Sequence, residues 1–192
     1  MRQLFAISAV LALITAAGAQ QGKQKAGWTA LFDGTSLANW NTIGTANWKL
    51  ADGVVEANTG NGLLVSKTSY KDFELRAEFW VDGPANSGVF IRCTNPLEIS
   101  PDNAYEVNVY DTRPDQTYAT GSIVNVAPPS TPMKAAGKWN TFEITAQGDH
   151  LVVTLNGTKT VDVHNAKFPA GAIGLQAAAG VVRFRSVQIR PL

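Results

Sequence analysis

Phe73-Glu74-Leu75-Arg76-Ala77-Glu78-Phe79-Trp80-Val81 alternates without a slip, apolar at every odd position and polar or amphipathic between. A period of two marks a strand with one face buried. Working outward, Val89, Ile91 and Cys93 form one face of the next run, with Phe90 and Arg92 on the other. Tyr105, Val107 and Val109 then alternate with Glu106, Asn108 and Tyr110. Phe142, Ile144 and Ala146 repeat the pattern, and Leu151, Val153 and Leu155 follow. Asn156-Gly157 comes next, a hairpin signal because both central positions of a type I′ turn need positive φ. Val161 and Val163 lie on the returning strand, and Ile173, Leu175, Val182 and Phe184 supply the last two. The apolar phase slips between Phe184 and Val187, which predicts a bulge at Arg185-Ser186, since one extra residue flips the face. No window holds a helical period over three turns, and Ala127 to Pro132, with three prolines, reads as loop. The expected fold is all-β: two antiparallel sheets packed face to face as a sandwich or jelly roll.

The N-terminus has a different character. Met1-Arg2-Gln3 carries one positive charge, Leu4 to Ile14 is apolar but for Ser8, and Ala17-Gly18-Ala19 supplies small residues. This is the pattern of a signal peptide over 1–19, with cleavage after Ala19. The apolar run falls short of the roughly 20 residues that span a bilayer, so no membrane span is expected. A polar linker over 20–27 and a single domain over 28–192 follow, in a chain expected to be secreted or periplasmic. With residues 1–19 removed, Arg2 goes, and 15 basic residues face 15 acidic ones. A neutral domain has no general pull toward nucleic acid or an anionic membrane. Cys93 is the one cysteine, so no internal disulfide forms and the β core must supply the stability. Oligomeric state is not legible in the sequence.

Alternation also says which side chains are free for chemistry. Should the Val89 and Tyr105 runs be neighbours, Arg92, Glu106 and Asn108 share one open sheet face. Carboxylate and guanidinium make charge-assisted, directional bonds to hydroxyls, and an amide supplies a donor and an acceptor together. That set suits a carbohydrate partner, with Tyr110 or Trp80 to stack on a pyranose ring. The same residues also fit a solvated face with ordinary cross-strand charge pairs. Asn86 and Ser87 border the trough at the end of Gly83-Pro84-Ala85-Asn86-Ser87-Gly88, and Asp111, at the end of its strand, reads as a turn cap or a site residue.

His150 and His164 have no second His or Cys at ligand spacing, which argues against a His/Cys metal site. An oxygen-ligand calcium site needs only scattered carboxylates, amides and carbonyls, and stays open. Nucleophile-elbow, Walker and dinucleotide motifs are absent. Cys93 lies on the apolar side of its strand and reads as core.

Several stretches, in order, resemble the 3-keto-disaccharide hydrolase domain family. Leu31-Phe32-Asp33-Gly34-Thr35-Ser36-Leu37-Ala38-Asn39-Trp40 is similar to its opening signature, and Tyr70-Lys71-Asp72-Phe73-Glu74-Leu75 to its Y-x-D-F-x-L strand. Asn86-Ser87-Gly88-Val89-Phe90-Ile91-Arg92 and Tyr105-Glu106-Val107-Asn108-Val109-Tyr110-Asp111 resemble its N-S-G and Y-E-V-Q strands. Trp139-Asn140, Leu155-Asn156-Gly157, Gly174-Leu175-Gln176 and Phe184-Arg185 continue the series, so the resemblance runs from Trp28 to Leu192.

The resemblance implies a concanavalin-like sandwich and cleavage of glycosides already oxidised at C3. A C3 ketone acidifies the C2 proton; a base removes it, the C1 substituent leaves, and water adds. Such chemistry needs a general base and positive charge at the enolate oxygen. Glu106 is expected as base and Arg92 as oxyanion stabiliser, with Asp111 beside them; a divalent metal ion could take the role of Arg92. Asn86, Asn108, Tyr110, Gln176 and Trp80 are the expected substrate-binding residues. Two departures bear on activity. Many family members carry His-Gly after Gly-Leu-Gln, where this chain has Ala177-Ala178, and Asn108 replaces the Gln of the Y-E-V-Q strand. The competing reading is a non-catalytic, lectin-like carbohydrate-binding module.

Overall fold

The computed structural model describes residues 27–192. The signal peptide expected at 1–19 and the linker expected at 20–27, Gly27 apart, lie outside the described residues. The described residues form thirteen strands and no α-helix: β1 (Thr29–Phe32), β2 (Trp40–Gly44), β3 (Lys49–Ala51), β4 (Val54–Ala57), β5 (Gly62–Tyr70), β6 (Phe73–Val81), β7 (Asn86–Cys93), β8 (Tyr105–Val109), β9 (Trp139–Gln147), β10 (His150–Leu155), β11 (Thr158–His164), β12 (Gly171–Ala179) and β13 (Val182–Pro191). The larger sheet runs β11-β10-β9-β6-β13-β4-β3, with β1 also on β13; the smaller runs β2-β5-β12-β7-β8. Their named strands pair antiparallel throughout, giving the expected two-sheet sandwich.

The alternating stretch 73–81 is β6, in the middle of the larger sheet between β9 and β13. Phe73, Leu75, Ala77, Phe79 and Val81 are all buried against the smaller sheet, and the intervening residues are half-buried on the outer side. Phe79 stacks on Phe142 with ring centroids 4.9 Å apart. Burying an aromatic of this size contributes about 1.5–3 kcal/mol. The β10–β11 turn has Asn156 at φ 51° and Gly157 at φ 81°. The expected bulge in β13 is present, as a register shift against β6 between Phe184 and Ser186.

A second apolar cluster lies on the outer side of the smaller sheet. Leu63, Val65, Phe90, Cys93, Ala104 and Ala172 form it, with Ile43 and Ile99 packed against them. β5 is therefore buried on both faces along Leu63-Leu64-Val65, which removes the period-two signal that marks half-buried strands.

Near its end β7 departs from the expected alternation. Arg92 sits at φ 54°, a left-handed conformation uncommon for a residue with a Cβ. The kink turns Cys93 to the outer cluster with Phe90 and sends Arg92 inward, where it is fully buried. Arg92 was expected beside Glu106 on the open face, and this corrects it. Its Nε donates to the Lys71 carbonyl, Nη1 to those of Gly148 and Phe168, and Nη2 to Asp72, 3.2 Å away. One guanidinium thus joins the β5–β6, β9–β10 and β11–β12 connections at one end of the sandwich. Gly171 makes room for the kink: a Cβ there would stand 2.2 Å from the Cys93 carbonyl oxygen.

Candidate active site

β7 and β8 are neighbours, with Phe90 opposite Glu106 and Gly88 opposite Asn108. On its other edge β7 pairs with β12, placing Gln176 opposite Gly88. Beyond β8 the chain returns alongside it: Asn108 N donates to the Ser122 carbonyl, Gly121 N to that of Asn108, and Val124 N to that of Glu106. Val107 and Ile123 bridge across this pairing and both lie in the inter-sheet core. Ser122 therefore faces the same side as Asn108, since neighbours along extended chain point opposite ways. The result is one row across the outer face of the smaller sheet: Gln176, half-buried, then Gly88, Asn108 and Ser122, all buried. Glu106 stands beside the row.

This row carries polar atoms without protein partners. Asn108 Oδ1, Gln176 Oε1 and Ser122 Oγ are all buried and make no hydrogen bond to the protein. Asn108 spends only its amide nitrogen, donating to the Tyr118 carbonyl 2.6 Å away. Buried polar groups are nearly always paired, so a cluster of unpaired ones is the signature of a place meant for a ligand's own donors. The space comes from Gly88: a Cβ there would lie 3.4 Å from Glu106 Cγ and Oε1. The Glu106 side chain thus lies over a glycine, where a Cβ would already be in van der Waals contact with it.

Glu106 is buried, and burial pushes its pKa up from 4.5 to about 7; Arg113 pulls it the other way by its charge. A carboxyl poised near neutrality can give or take a proton at physiological pH. Arg113 follows β8 in Thr112-Arg113-Pro114, half-buried, with Nε buried and unpartnered. It is the cation whose charge acts on Glu106, at the side of this carboxyl where Arg92 was expected. Arg113, Ser122 and Gly88 were not among the expected site residues. The first two sit outside the alternating runs, while Gly88 lies within the quoted N-S-G motif and reads there as backbone.

The other expected residues divide. Asn108 and Gln176 join Glu106 on the face, and Tyr110, half-buried, continues the same side of the chain just past β8. Asn86 begins β7 opposite Ala179, two residues before Gly88. Asp111 is no catalytic group in this geometry. Its carboxylate accepts from Thr120 Oγ1 at 2.6 Å and from the backbone N–H groups of Ala135 and Ala136, so it anchors the proline-rich loop as a cap. Trp80 lies on the outer side of the larger sheet, its ring 4.5 Å from the Arg183 guanidinium, and is remote from Glu106. Cys93 is buried and its thiol pushed up to about 12, which makes it inert core. Among the described residues no three His, Cys, Asp or Glu side chains are grouped to hold a metal ion. A divalent ion at this face would rest on Glu106 with the amide oxygens of Asn108 and Gln176.

Residues 27–190 match the family model of the 3-keto-alpha-glucoside-1,2-lyase-like domain. No match is found among curated proteins. Among solved structures, the chain is similar to a protein from Parabacteroides distasonis described as a "Putative glycosyl hydrolase". That likeness has 27% identity and a TM-score of 0.74 over 86% of this chain and 99% of that one. The fold is shared with the carbohydrate-binding module CBM66 from Bacillus subtilis, at 18% identity and TM-score 0.61, over 85% and 95% of the two chains. It is shared too with the lumenal domain of VIP36 in a Ca2+/Man-bound form, at 11% identity and TM-score 0.57, over 80% and 83%.

Proposed function

The chain belongs to the 3-keto-alpha-glucoside-1,2-lyase-like domain family, and from that premise we propose that it is an exported, glycan-active enzyme cleaving 3-keto-glycosides by elimination and hydration. The observation that carries this reading is Glu106: a buried carboxyl with a pKa raised to about 7, beside buried, unpartnered amide and hydroxyl oxygens on the outer face of the smaller sheet. In the ionised state Glu106 removes the C2 proton of the 3-keto sugar. The C2–H electron pair forms the enolate, whose oxygen faces Arg113. Collapse of the enolate restores the C3 carbonyl, forms the C1–C2 double bond and expels the C1 oxygen, which takes a proton. Water adds its oxygen to C1 and a proton returns to C2. Asn108, Gln176 and Ser122 accept hydroxyl hydrogens from the ring and orient it. Export to the periplasm or exterior rests on the N-terminal pattern over residues 1–19.

Non-catalytic carbohydrate binding is the second reading, favoured by Ala177, which leaves no imidazole after Gly174-Leu175-Gln176. Incubation with an aryl 3-keto-glucoside and its unoxidised counterpart, in deuterated water, separates the two. The enzyme releases aglycone from the keto substrate and exchanges its C2 hydrogen, and Glu106→Gln abolishes both. Undiminished turnover in that variant removes Glu106 as base. Binding without release in the parent protein supports the module.

A further inference from the structure

A cleft of about 270 Å³ opens between the short helical turn Gln116–Tyr118 and the proline-rich loop. Pro128, Pro129, Pro132 and Met133 line it from the loop, and Ala119 from the end of the turn. The loop is tied at both ends. Ser130 N donates to the Thr160 carbonyl on β11, and the N–H groups of Ala135 and Ala136 donate to the Asp111 carboxylate. Prolines with fixed φ on a tethered loop give walls that are ordered in advance, which removes part of the entropy loss of binding.

Of the four polar side chains at the cleft, three are spent on the protein. Gln116 Nε2 donates to the Arg113 carbonyl, Lys134 Nζ to that of Asp111, and Thr120 Oγ1 to the Asp111 carboxylate at 2.6 Å. What the cleft offers a ligand is therefore mainly apolar surface: pyrrolidine rings, a methyl group and a thioether that adapts to irregular shapes. Such a lining favours an alkyl or aryl group over a second sugar, whose hydroxyls would lose water without gaining partners.

The same stretch of chain builds the Glu106 site. Arg113 stands just before the turn, the Tyr118 carbonyl takes the Asn108 amide, and Gly121 N donates to the Asn108 carbonyl as the chain enters Ser122. The cleft wall over 116–120 is thus bracketed by Arg113 and Ser122. It lies beyond β8, at the Ser122 end of the row that begins with Gln176.

We propose that this cleft receives the apolar C1 substituent of the substrate, an alkyl or aryl group, while the row of Gln176, Asn108 and Ser122 holds the sugar. The proposal rests on the reading of the Glu106 face as the place where a keto-glycoside binds, and it names the class of glycoside.

The test compares the 3-keto-α-glucosides of methanol and hexanol, whose leaving oxygens are alike. In the parent protein kcat/KM for the hexyl compound exceeds that for the methyl compound about 10-fold or more, since each buried methylene favours binding roughly fourfold. Met133→Gln, near-isosteric and polar, and Pro132→Ser, at an exposed position, each cut that ratio about fivefold or more, with circular dichroism confirming that both variants fold. Equal rates for the two compounds in the parent protein overturn the proposal, and Glu106-dependent release then leaves the catalytic reading standing. A hexyl preference that survives both variants also overturns it, by assigning the chain to another surface. When neither compound is cleaved, the catalytic reading falls and calorimetric affinities supply the ratio. A hexyl preference in binding that both variants lose then supports the cleft, and no preference or no binding overturns it.

Discussion

Gly88 makes the space into which the Glu106 carboxyl leans: a Cβ at position 88 would meet Glu106 Oε1 at 3.4 Å and the Val107 carbonyl oxygen at 3.0 Å. Gly88→Ala presses first on the β8 backbone that carries the site, at the Val107 carbonyl, and brings a methyl group into van der Waals contact with the Glu106 side chain. Overpacking of this kind costs about 1–3 kcal/mol, which a folded domain of this size absorbs. The expected outcome is a folded variant with kcat/KM on the keto-glycoside down about 10-fold or more. A melting curve beside a rate measurement checks it; loss of stability without loss of rate would detach Gly88 from the site.

The raised pKa of Glu106 makes stability depend on pH with a definite sign. The folded protein holds this proton up to about pH 7, whereas the unfolded chain releases it near 4.5. Stability from this group is fully present below the unfolded value and is lost as pH rises from about 4.5 through 7. The loss is on the order of 3 kcal/mol. Glu106→Gln, which cannot ionise, should be more stable than the parent at pH 8 by up to about that amount and nearly equal at pH 4. Urea titrations at the two pH values measure the difference.

Arg113 lowers the pKa of Glu106 against the effect of burial. Removing its charge with Arg113→Gln should shift the acidic limb of the kcat/KM profile to higher pH, because the base then stays protonated further up the scale. The rate at the plateau should fall about 10²-fold through loss of enolate stabilisation. A profile that keeps its acidic limb and loses only amplitude would leave Arg113 with substrate contact and no influence on the base.

For Arg92 the expected effect is on the fold. Lysine cannot reproduce a fork that reaches three carbonyls and a carboxylate, and breaking a buried charge network costs about 3–5 kcal/mol. Arg92→Lys should lose stability on that scale, while the fraction that remains folded keeps kcat/KM within a few-fold. Equal stability with abolished turnover would return Arg92 to the chemistry.

What the sequence disclosed follows burial. β6 was legible because it buries one face, and β8 because its apolar and polar residues alternate although all five are buried; that alternation also placed Glu106 and Asn108 on the outer side of their sheet. β5 was not, because Leu63, Leu64 and Val65 are buried on both sides of the sheet, under an apolar cluster that alternation does not reveal. Arg92 was misplaced because the count along β7 assumes unbroken extended backbone, and nothing in Phe90-Ile91-Arg92-Cys93 announces a left-handed residue. Arg113 and Ser122 reach the site from irregular chain: Arg113 from the turn after β8, its N–H donating to the Tyr110 carbonyl, and Ser122 from a segment placed only by its pairing with β8. The Asp111 carboxylate was visible, but only its backbone donors show that it is committed to a loop.

The buried guanidinium of Arg92 also sets where the chain can be cut and rejoined. Lys71, Gly148 and Phe168 surrender carbonyls to one side chain, so new termini in any of those three connections would free an end that the fourth partner needs held. The Asn156-Gly157 hairpin, at the other end of β10 from Gly148, takes no part in that knot. A circular permutant opened between Asn156 and Gly157 should refold, whereas one opened at Gly148 should not, which makes the hairpin the place to graft a tag or a second domain.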